Sequence, residues 1–543
     1  MIRHVADVID SMNWTRLIPR ASALAATVWL TACTTPPVPS ADEPAIAPPA
    51  ALHLEGLPPV PQRLLAPIQR WTAVSGHAFV DWHPSRREML VSHRPPGAST
   101  TQLFRVRAPL APPEPLTDGG DPVTVAQWEP RDGKYIVFAR GSRGNEAFQL
   151  YRLDPQDGAV TLLTDPDQRH SLQGWLKSSS LALVSSVPLD RTADGGRRAE
   201  LTTTLSLVDP LQPASRRVVA ELPGGGWFGA TVSPDERQLA LTRYVSASES
   251  EIWLVDIADG QRRRLLPAAG EALRASHFAS AWTPDGRALL LGSDRAGEFR
   301  ELMRLDLASG TLTRLSGHIP WDIGSGELSA DGRWLAFTAN VDGRDELRLL
   351  DRGAERVLPG LPGGSVGRIG LHHSRPELAL VVDSAQGPAQ VHSVDLDSGV
   401  VQAWTRPVAD PTLDLASLPD QQIVRWRSFD GRSISGLLML PPARLAGPRP
   451  VLLAMHGGPE AQAKLGWQGR LNYLVQELGV AVLEPNVRGS RGYGKTFLTL
   501  DDGRLRENSV KDMAGAIDWI ATQPRLDARR VLVIGGSYPK FRS

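Results

Sequence analysis

A unit of roughly 46 residues recurs seven times between residues 75 and 410, and units of that length are four-stranded blades that bury their apolar faces only against one another. The markers are Trp82-His-Pro-Ser-Arg, Trp128-Glu-Pro-Arg-Asp-Gly, Trp175, Val232-Ser-Pro-Asp-Glu-Arg, Trp282-Thr-Pro-Asp-Gly-Arg, Leu328-Ser-Ala-Asp-Gly-Arg and, more weakly, Leu371-His-His-Ser-Arg-Pro; they lie 43 to 57 residues apart. The Pro-Asp-Gly cores are tight-turn sequences, because Asp bonds to nearby backbone and Gly tolerates positive φ. After each turn and its strand comes an alternating run that closes on an Asp, as at 149–154, 251–256, 301–306 and 390–395. This grammar predicts an all-β, seven-bladed propeller over residues 63–412, and the pattern resembles WD40-like repeats with a Pro-Asp turn. The Trp residues ahead of the turns are expected to plug the space between blades and to hold no ligand.

Beyond a Pro-punctuated join at 407–419 the pattern changes. A hairpin over 422–427 and 433–440 leads into uninterrupted apolar runs at 451–455, 480–483 and 531–534, with helical patterns over 471–478 and 510–522. Continuous apolar strands alternating with helices predict a parallel sheet covered on both faces, a partial α/β-hydrolase-like domain over 413–543.

The chemistry falls at the ends of these strands. The run at 531–534 passes directly into Gly535-Gly536-Ser537-Tyr538, the first half of a G-x-S-x-G nucleophile elbow. Small residues before Ser537 permit the strained turn that lifts its hydroxyl above the sheet, and the Tyr538 N–H would face a developing oxyanion. The run at 451–455 ends in His456-Gly457-Gly458-Pro459, where such folds place their second oxyanion element. Ser537 is therefore the expected nucleophile, with Tyr538, His456, Gly457 and Gly458 around the oxyanion.

At the other end, Arg16 and Arg20 precede an uncharged stretch that closes on Leu30-Thr31-Ala32-Cys33. Residues 1–32 read as a secretory signal, too short to span a bilayer, and Met12 gives it a more conventional start than Met1. Leu-Thr-Ala-Cys resembles the bacterial lipobox, which implies a lipid on Cys33 and membrane attachment through it. By the same resemblance Thr34 favours sorting to the outer membrane, on the periplasmic side. The Pro-rich stretch 33–62 is expected to be an extended tether. Cys33 is the sole cysteine, which excludes a disulfide framework and a cysteine-built metal site. Basic and acidic residues both total 59, so no bulk field gathers nucleic acid. No metal or cofactor is expected.

Four stretches, His456-Gly-Gly-Pro-Glu460, Pro485-Asn-Val-Arg-Gly-Ser-Arg-Gly-Tyr-Gly-Lys495, Asp512-Met-Ala-Gly-Ala-Ile-Asp-Trp519 and Gly535-Gly-Ser-Tyr538, resemble the prolyl oligopeptidase family of serine peptidases, in its bacterial acylaminoacyl-peptidase and dipeptidyl-peptidase-like branch. The resemblance extends over 63–538. It implies acyl-enzyme hydrolysis of short peptides at Ser537, a propeller that restricts entry, and Asn486 and Arg488 as substrate contacts. By the same analogy Glu249 and Glu251 would bind a peptide N-terminus; as strand-edge charges they read at least as well as solvated residues. The sequence then departs from the family pattern, with Pro539-Lys-Phe-Arg-Ser543 where Gly-Gly is expected after Tyr538. The triad Asp and His follow the serine in this fold and do not appear, so the polypeptide as written is expected to be truncated by a frameshift or assembly error and inactive, since a serine without its base is a weak nucleophile. The alternative is a non-catalytic propeller lipoprotein that binds peptides or envelope partners.

Two further motifs carry no expected function. Residues 489–496 satisfy G-x-x-x-x-G-K-T literally. They stand five residues from their strand with no apolar strand ending in Asp downstream, and so predict an active-site loop and not a phosphate cradle. The pair His372-His373 is expected at a blade surface.

Overall fold

The computed structural model describes residues 44–190, 199–458 and 460–537; the expected signal, Cys33 and Tyr538 lie outside the described residues. Seven four-stranded antiparallel sheets follow one another along the chain. They are blade 1 (β1–β4, 77–115), blade 2 (β5–β8, 123–162), blade 3 (β9–β12, 168–223), blade 4 (β13–β16, 227–266), blade 5 (β17–β20, 277–314), blade 6 (β21–β24, 323–355) and blade 7 (β25–β28, 365–403). The first strands of neighbouring blades contact one another between blades 1 and 2, from blade 3 through blade 7, and between blades 7 and 1. The sequence markers fall at the ends of these innermost strands, so the turn they announce joins the first strand of a blade to its second. In blade 5, Asp285 Oδ1 accepts from Thr283 Oγ1 (2.6 Å) and from Arg287 N (3.0 Å), while Gly286 takes φ +67°. Blade 4 builds the same turn with Glu236 at φ +56°.

The marker tryptophans span blades. Trp82 packs with Ala379, Val381 and Val391 of blade 7 and its indole N–H donates to Gly370 O (3.0 Å); Trp282 donates to Thr231 O of blade 4 (2.9 Å). Blades 1 and 7 are each complete within their own repeat. The ring closes through Trp82, the Arg87–Glu377 ion pair (2.7 Å) and an antiparallel pair of backbone bonds between Ser75 and Val408 (2.9 and 3.0 Å). The wide spacing of 57 between the third and fourth markers reflects longer strands in blade 3, where β12 has 12 residues. The expectation for His372 is corrected: it is buried, with Nδ1 accepting from Ser374 N and Nε2 bonded to Arg86 O, and only His373 is exposed.

The helix Leu65–Thr72 precedes the first blade and packs on the α/β domain. Trp71 stacks on Trp467 with centroids 6.4 Å apart, and Arg70 pairs with Glu477 at 2.6 Å. The propeller therefore begins at His77 rather than at 63. The α/β sheet contains β29 (Gln422–Arg427), β30 (Ser433–Met439), β31 (Arg449–Met455), β32 (Ala481–Asn486) and β33 (Leu526–Gly535) in the order β29-β30-β32-β31-β33. β31 runs parallel to both β32 and β33. Alternation along these strands sends Val451, Leu453, Ala481 and Leu483 toward the helix Glu507–Ala521, and Leu452 and Val482 toward the helix Arg470–Gln476. Both faces of β31 and β32 are thus covered, as uninterrupted apolar runs require, whereas Leu532, Val533 and Ile534 of β33 are exposed.

Candidate active site

Because β31 and β33 are parallel neighbours with Met455 opposite Gly535, the segments that leave their C-terminal ends emerge side by side, where α/β sheets place their ligands. Ser537 is exposed and sits at φ +62°. That left-handed conformation costs a residue with a Cβ about 1–2 kcal/mol, strain of the kind concentrated at functional sites. Against it lies Gly457, where an added Cβ would stand 3.0 Å from Gly536 O, 3.2 Å from Ser537 Cβ and 3.7 Å from Ser537 Oγ. Gly458, at φ +130°, has room for no side chain either, since its Cβ would meet Glu460 N at 2.5 Å. The absence of side chains at 457 and 458 lets backbone approach the serine. Tyr538, the other expected oxyanion donor, lies outside the described residues.

His456 holds this loop in place. Its Nδ1–H donates to Gly457 O (2.9 Å), and its Nε2 lies 2.9 Å from Ser490 Oγ, a hydroxyl that donates to Val487 O (2.6 Å). Burial holds the imidazole below the ordinary histidine pKa. The neutral ring braces the 457–458 backbone, and its two nitrogens face Gly457 O and Ser490 Oγ and not Ser537.

The structure uses Asn486 and Arg488 internally. Asn486, 1% exposed, accepts from Ala463 N (2.7 Å) and donates to Ala463 O (3.1 Å) and Tyr493 Oη (2.9 Å). Arg488, 3% exposed, pairs with the fully buried Asp512 at 2.7 Å and with Asp430 at 3.1 Å, over the Phe429 ring. Carboxylates on both sides hold its guanidinium pKa above the ordinary value. Both side chains shape the loop and present no free group to a substrate. Glu251 is engaged by Arg243 (3.3 Å), Arg264 (3.1 Å) and Trp253 Nε1 (2.8 Å), and Glu249 lies 3.7 Å from Arg274. Both carboxylates thus face arginines, with the Glu251 side chain 13% exposed.

The segment with the phosphate-loop pattern grips the propeller instead. Thr496 donates through N and Oγ1 to the two carboxylate oxygens of Glu298, both at 2.7 Å, and Lys495 N donates to Glu298 O (2.9 Å). Lys495 Nζ donates to Asp294 O (3.1 Å). A Cβ on Gly494 would come 2.6 Å from Glu298 Oε1, so glycine is needed for the domains to meet this closely. Further along the interface Gln462 exchanges two hydrogen bonds with Asn340 (2.9 Å each), Lys464 pairs with Asp345 (2.6 Å), and Arg425 pairs with Asp342. Glu298 stands in a blade loop and Asn340 and Asp345 face each other at the ends of two paired strands of blade 6, with no sequence signal; Ser490 lay within a recognised motif, but its bond to His456 joins residues 34 apart.

A propeller set over an α/β sheet, with a left-handed serine at the end of one strand and a glycine loop from the next, defines the propeller-capped α/β-hydrolases. Within that class, residues 468–538 match the model of the prolyl oligopeptidase family. Dipeptidyl aminopeptidase BIII of Pseudoxanthomonas mexicana is 28% identical over 267 residues, covering 47% of this chain and 38% of its own length. Dipeptidyl-peptidase 5 of Porphyromonas gingivalis is 22% identical over 348 residues, covering 59% and 48% respectively. The chain spans less than half the length of these curated relatives. Among solved structures, a prolyl endopeptidase superposes with a TM-score of 0.74 at 17% identity, over 88% of this chain and 70% of that one. A puromycin hydrolase does so with 0.69 at 20% identity, over 86% and 74%. At these identities the superpositions speak for the fold.

Proposed function

We propose that this chain is the propeller and nucleophile-bearing part of a serine peptidase that cleaves short peptides through an acyl-enzyme on Ser537. The observation that carries the reading is the positive φ of Ser537 beneath the Gly457 backbone. In this mechanism the Ser537 oxygen attacks the scissile carbonyl, backbone N–H groups of the 457–458 loop and of Tyr538 receive the developing oxyanion, the amine leaves protonated, and water releases the acid. Attack needs a base in hydrogen-bond reach of Oγ, and His456 is committed elsewhere. The 543-residue polypeptide is therefore expected to be inactive, and a form continued through the triad Asp and His to be active. A fluorophosphonate probe tests this: the continued form should label at Ser537 and lose labelling on Ser537→Ala, while the 543-residue form should stay unlabelled. Stoichiometric labelling of the short form would overturn the account of the base; no labelling of the continued form would overturn the peptidase reading.

The proposal extends to location. The Leu30-Thr-Ala-Cys33 motif supports export and a lipid anchor at Cys33. Mass spectrometry of the membrane fraction should find an acylated N-terminal peptide starting at Cys33, and an unmodified Cys33 would remove the anchor.

A further inference from the structure

We propose that the cavity between blades 4 to 6 and the loop 491–498 binds the terminal carboxylate of a peptide whose last residue is apolar; this rests on the peptidase reading and deepens it. The cavity has a volume of about 220 Å³, the liquid share of about seven waters, room for one amino-acid residue.

Arg300 is the centre of the argument. Its guanidinium carbon lies 5.5 Å from the centroid of the Phe278 ring, and its buried Nε has no hydrogen-bond partner. Nor does the side chain form an ion pair among the described residues. Leaving a buried donor unmet costs about 1–3 kcal/mol, more for a charged group, and an acceptor entering the cavity removes that cost. A planar fork stacked on an aromatic ring is suited to receive a carboxylate. Two more cations line the space: Lys495, which spends one proton on Asp294 O, and the exposed Arg491.

The opposing charges set the valence of the ligand. Asp294 and Asp322 also line the cavity, and each has one oxygen engaged by backbone, from Ser276 N and from Arg300 N, both at 2.8 Å. His277 is bonded through Nδ1 to Ser293 Oγ, and burial keeps it neutral. Three cations against two carboxylates leave a net charge of one, which suits a monoanion and disfavours a phosphate. Phe228 and Tyr244, 45% and 44% exposed, line the same space and supply the apolar contact for the last side chain. The wall is continuous with the active site, because Arg491 N donates to Ala461 O (3.1 Å) and the preceding Ser490 holds His456.

The test is calorimetric titration of the 543-residue chain with N-acetyl-Ala-Ala-Phe, its C-terminal amide, and N-acetyl-Ala-Ala-Glu amide. The free acid should bind roughly ten- to hundredfold more tightly than its amide, the range expected for a charged hydrogen bond. Arg300→Gln should abolish that preference and Arg491→Gln should reduce it severalfold. Arg491 is exposed, so its variant remains informative if Arg300→Gln does not fold. Equal affinities for acid and amide, or a preference that survives the substitutions, would overturn the proposal. If the Glu-bearing amide matches the acid, the pocket reads side-chain carboxylates and the terminal assignment fails. Because the readout is binding, absence of Ser537 labelling in a continued form would sink the peptidase reading and leave this result intact.

Discussion

Replacing Arg488 with Met tests whether the motif that carries it is structural. Asp512, with no exposed surface, accepts from Arg488 Nε (3.0 and 3.1 Å), Nη2 (2.7 Å) and N (2.9 Å) and from Ser428 Oγ (2.6 Å). The substitution removes the cation and leaves the carboxylate buried with one hydroxyl and one backbone N–H. At an effective dielectric of about 20, two charges 4 Å apart interact by about 4 kcal/mol, and breaking one side of a buried pair costs about 3–5 kcal/mol. For a urea slope of roughly 2 kcal/mol per molar, the midpoint of the α/β transition should fall by about 1.5–2.5 M. The assay is equilibrium urea unfolding followed by tryptophan fluorescence, with the two domains fitted as separate transitions. Trp426 reports locally, since its indole donates to Asp512 O (3.0 Å). Asp430→Asn should cost less than about 1 kcal/mol, because that partner is solvated. The double variant Arg488→Met/Asp512→Leu should recover most of the loss, an apolar pair being tolerated where a lone charge is not. A single-variant loss below about 1 kcal/mol, or a double variant as unstable as the two singles summed, would refute the reasoning.

Two other outcomes are expected. Gly457→Ala sets a methyl 3.0 Å from Gly536 O and 3.2 Å from Ser537 Cβ, which displaces the oxyanion backbone; in a form that labels at Ser537, kcat should fall roughly 10²- to 10³-fold with little change in melting temperature, and an unchanged kcat would show that this backbone takes no part. His77, His83 and His277 are buried in the propeller and their pKa values are lowered to about 4, so below pH 6.5 the unfolded chain binds protons that the folded one refuses. Stability is therefore lost as pH falls from 6.5 toward 4, by about 2 kcal/mol per histidine at pH 5, and calorimetry should show a lower propeller melting temperature at pH 5.0 than at pH 7.5.

The propeller was legible because its signals are local. A Pro-Asp-Gly turn and a period of two act within about ten residues, and the blades needed only to be counted. The same local signals located the apolar cores of β31, β32 and β33, but not the start of β33: Leu526 to Arg530 has no apolar run and joins the sheet because Leu526 lies opposite Arg449. The helix at 65–72 went unassigned for the same reason, its partners at 467–477 being remote in sequence. Around the candidate site, strand order and glycine content pointed to Ser537, Gly457 and Gly458, of which the fold sets Gly457 against Ser537. Asn486 and Arg488 were expected to touch substrate on the family resemblance alone; only the fold shows Ala463 and Asp512 using them up. The grip of Glu298 on Thr496 joins residues 198 apart and belongs to no pattern in either segment.

The docking of the first helix on the last domain sets a schedule for synthesis. Arg70 and Glu477 are separated by 407 residues, and at about 5–20 residues per second a ribosome needs roughly 20–80 s to make the second after the first. For that interval Trp71 and Ile68 have no partner surface, while seven blades emerge in turn and the pairing of Ser75 with Val408 completes the ring. The α/β half is thus assembled last, around a finished circle and onto a helix that has waited since the start of translation. A nascent chain whose emerged part ends between residues 410 and 467 would carry a closed propeller and a helix still lacking Trp467, Tyr473 and Leu474, a species suited to chaperone capture and distinct from any state of the finished protein.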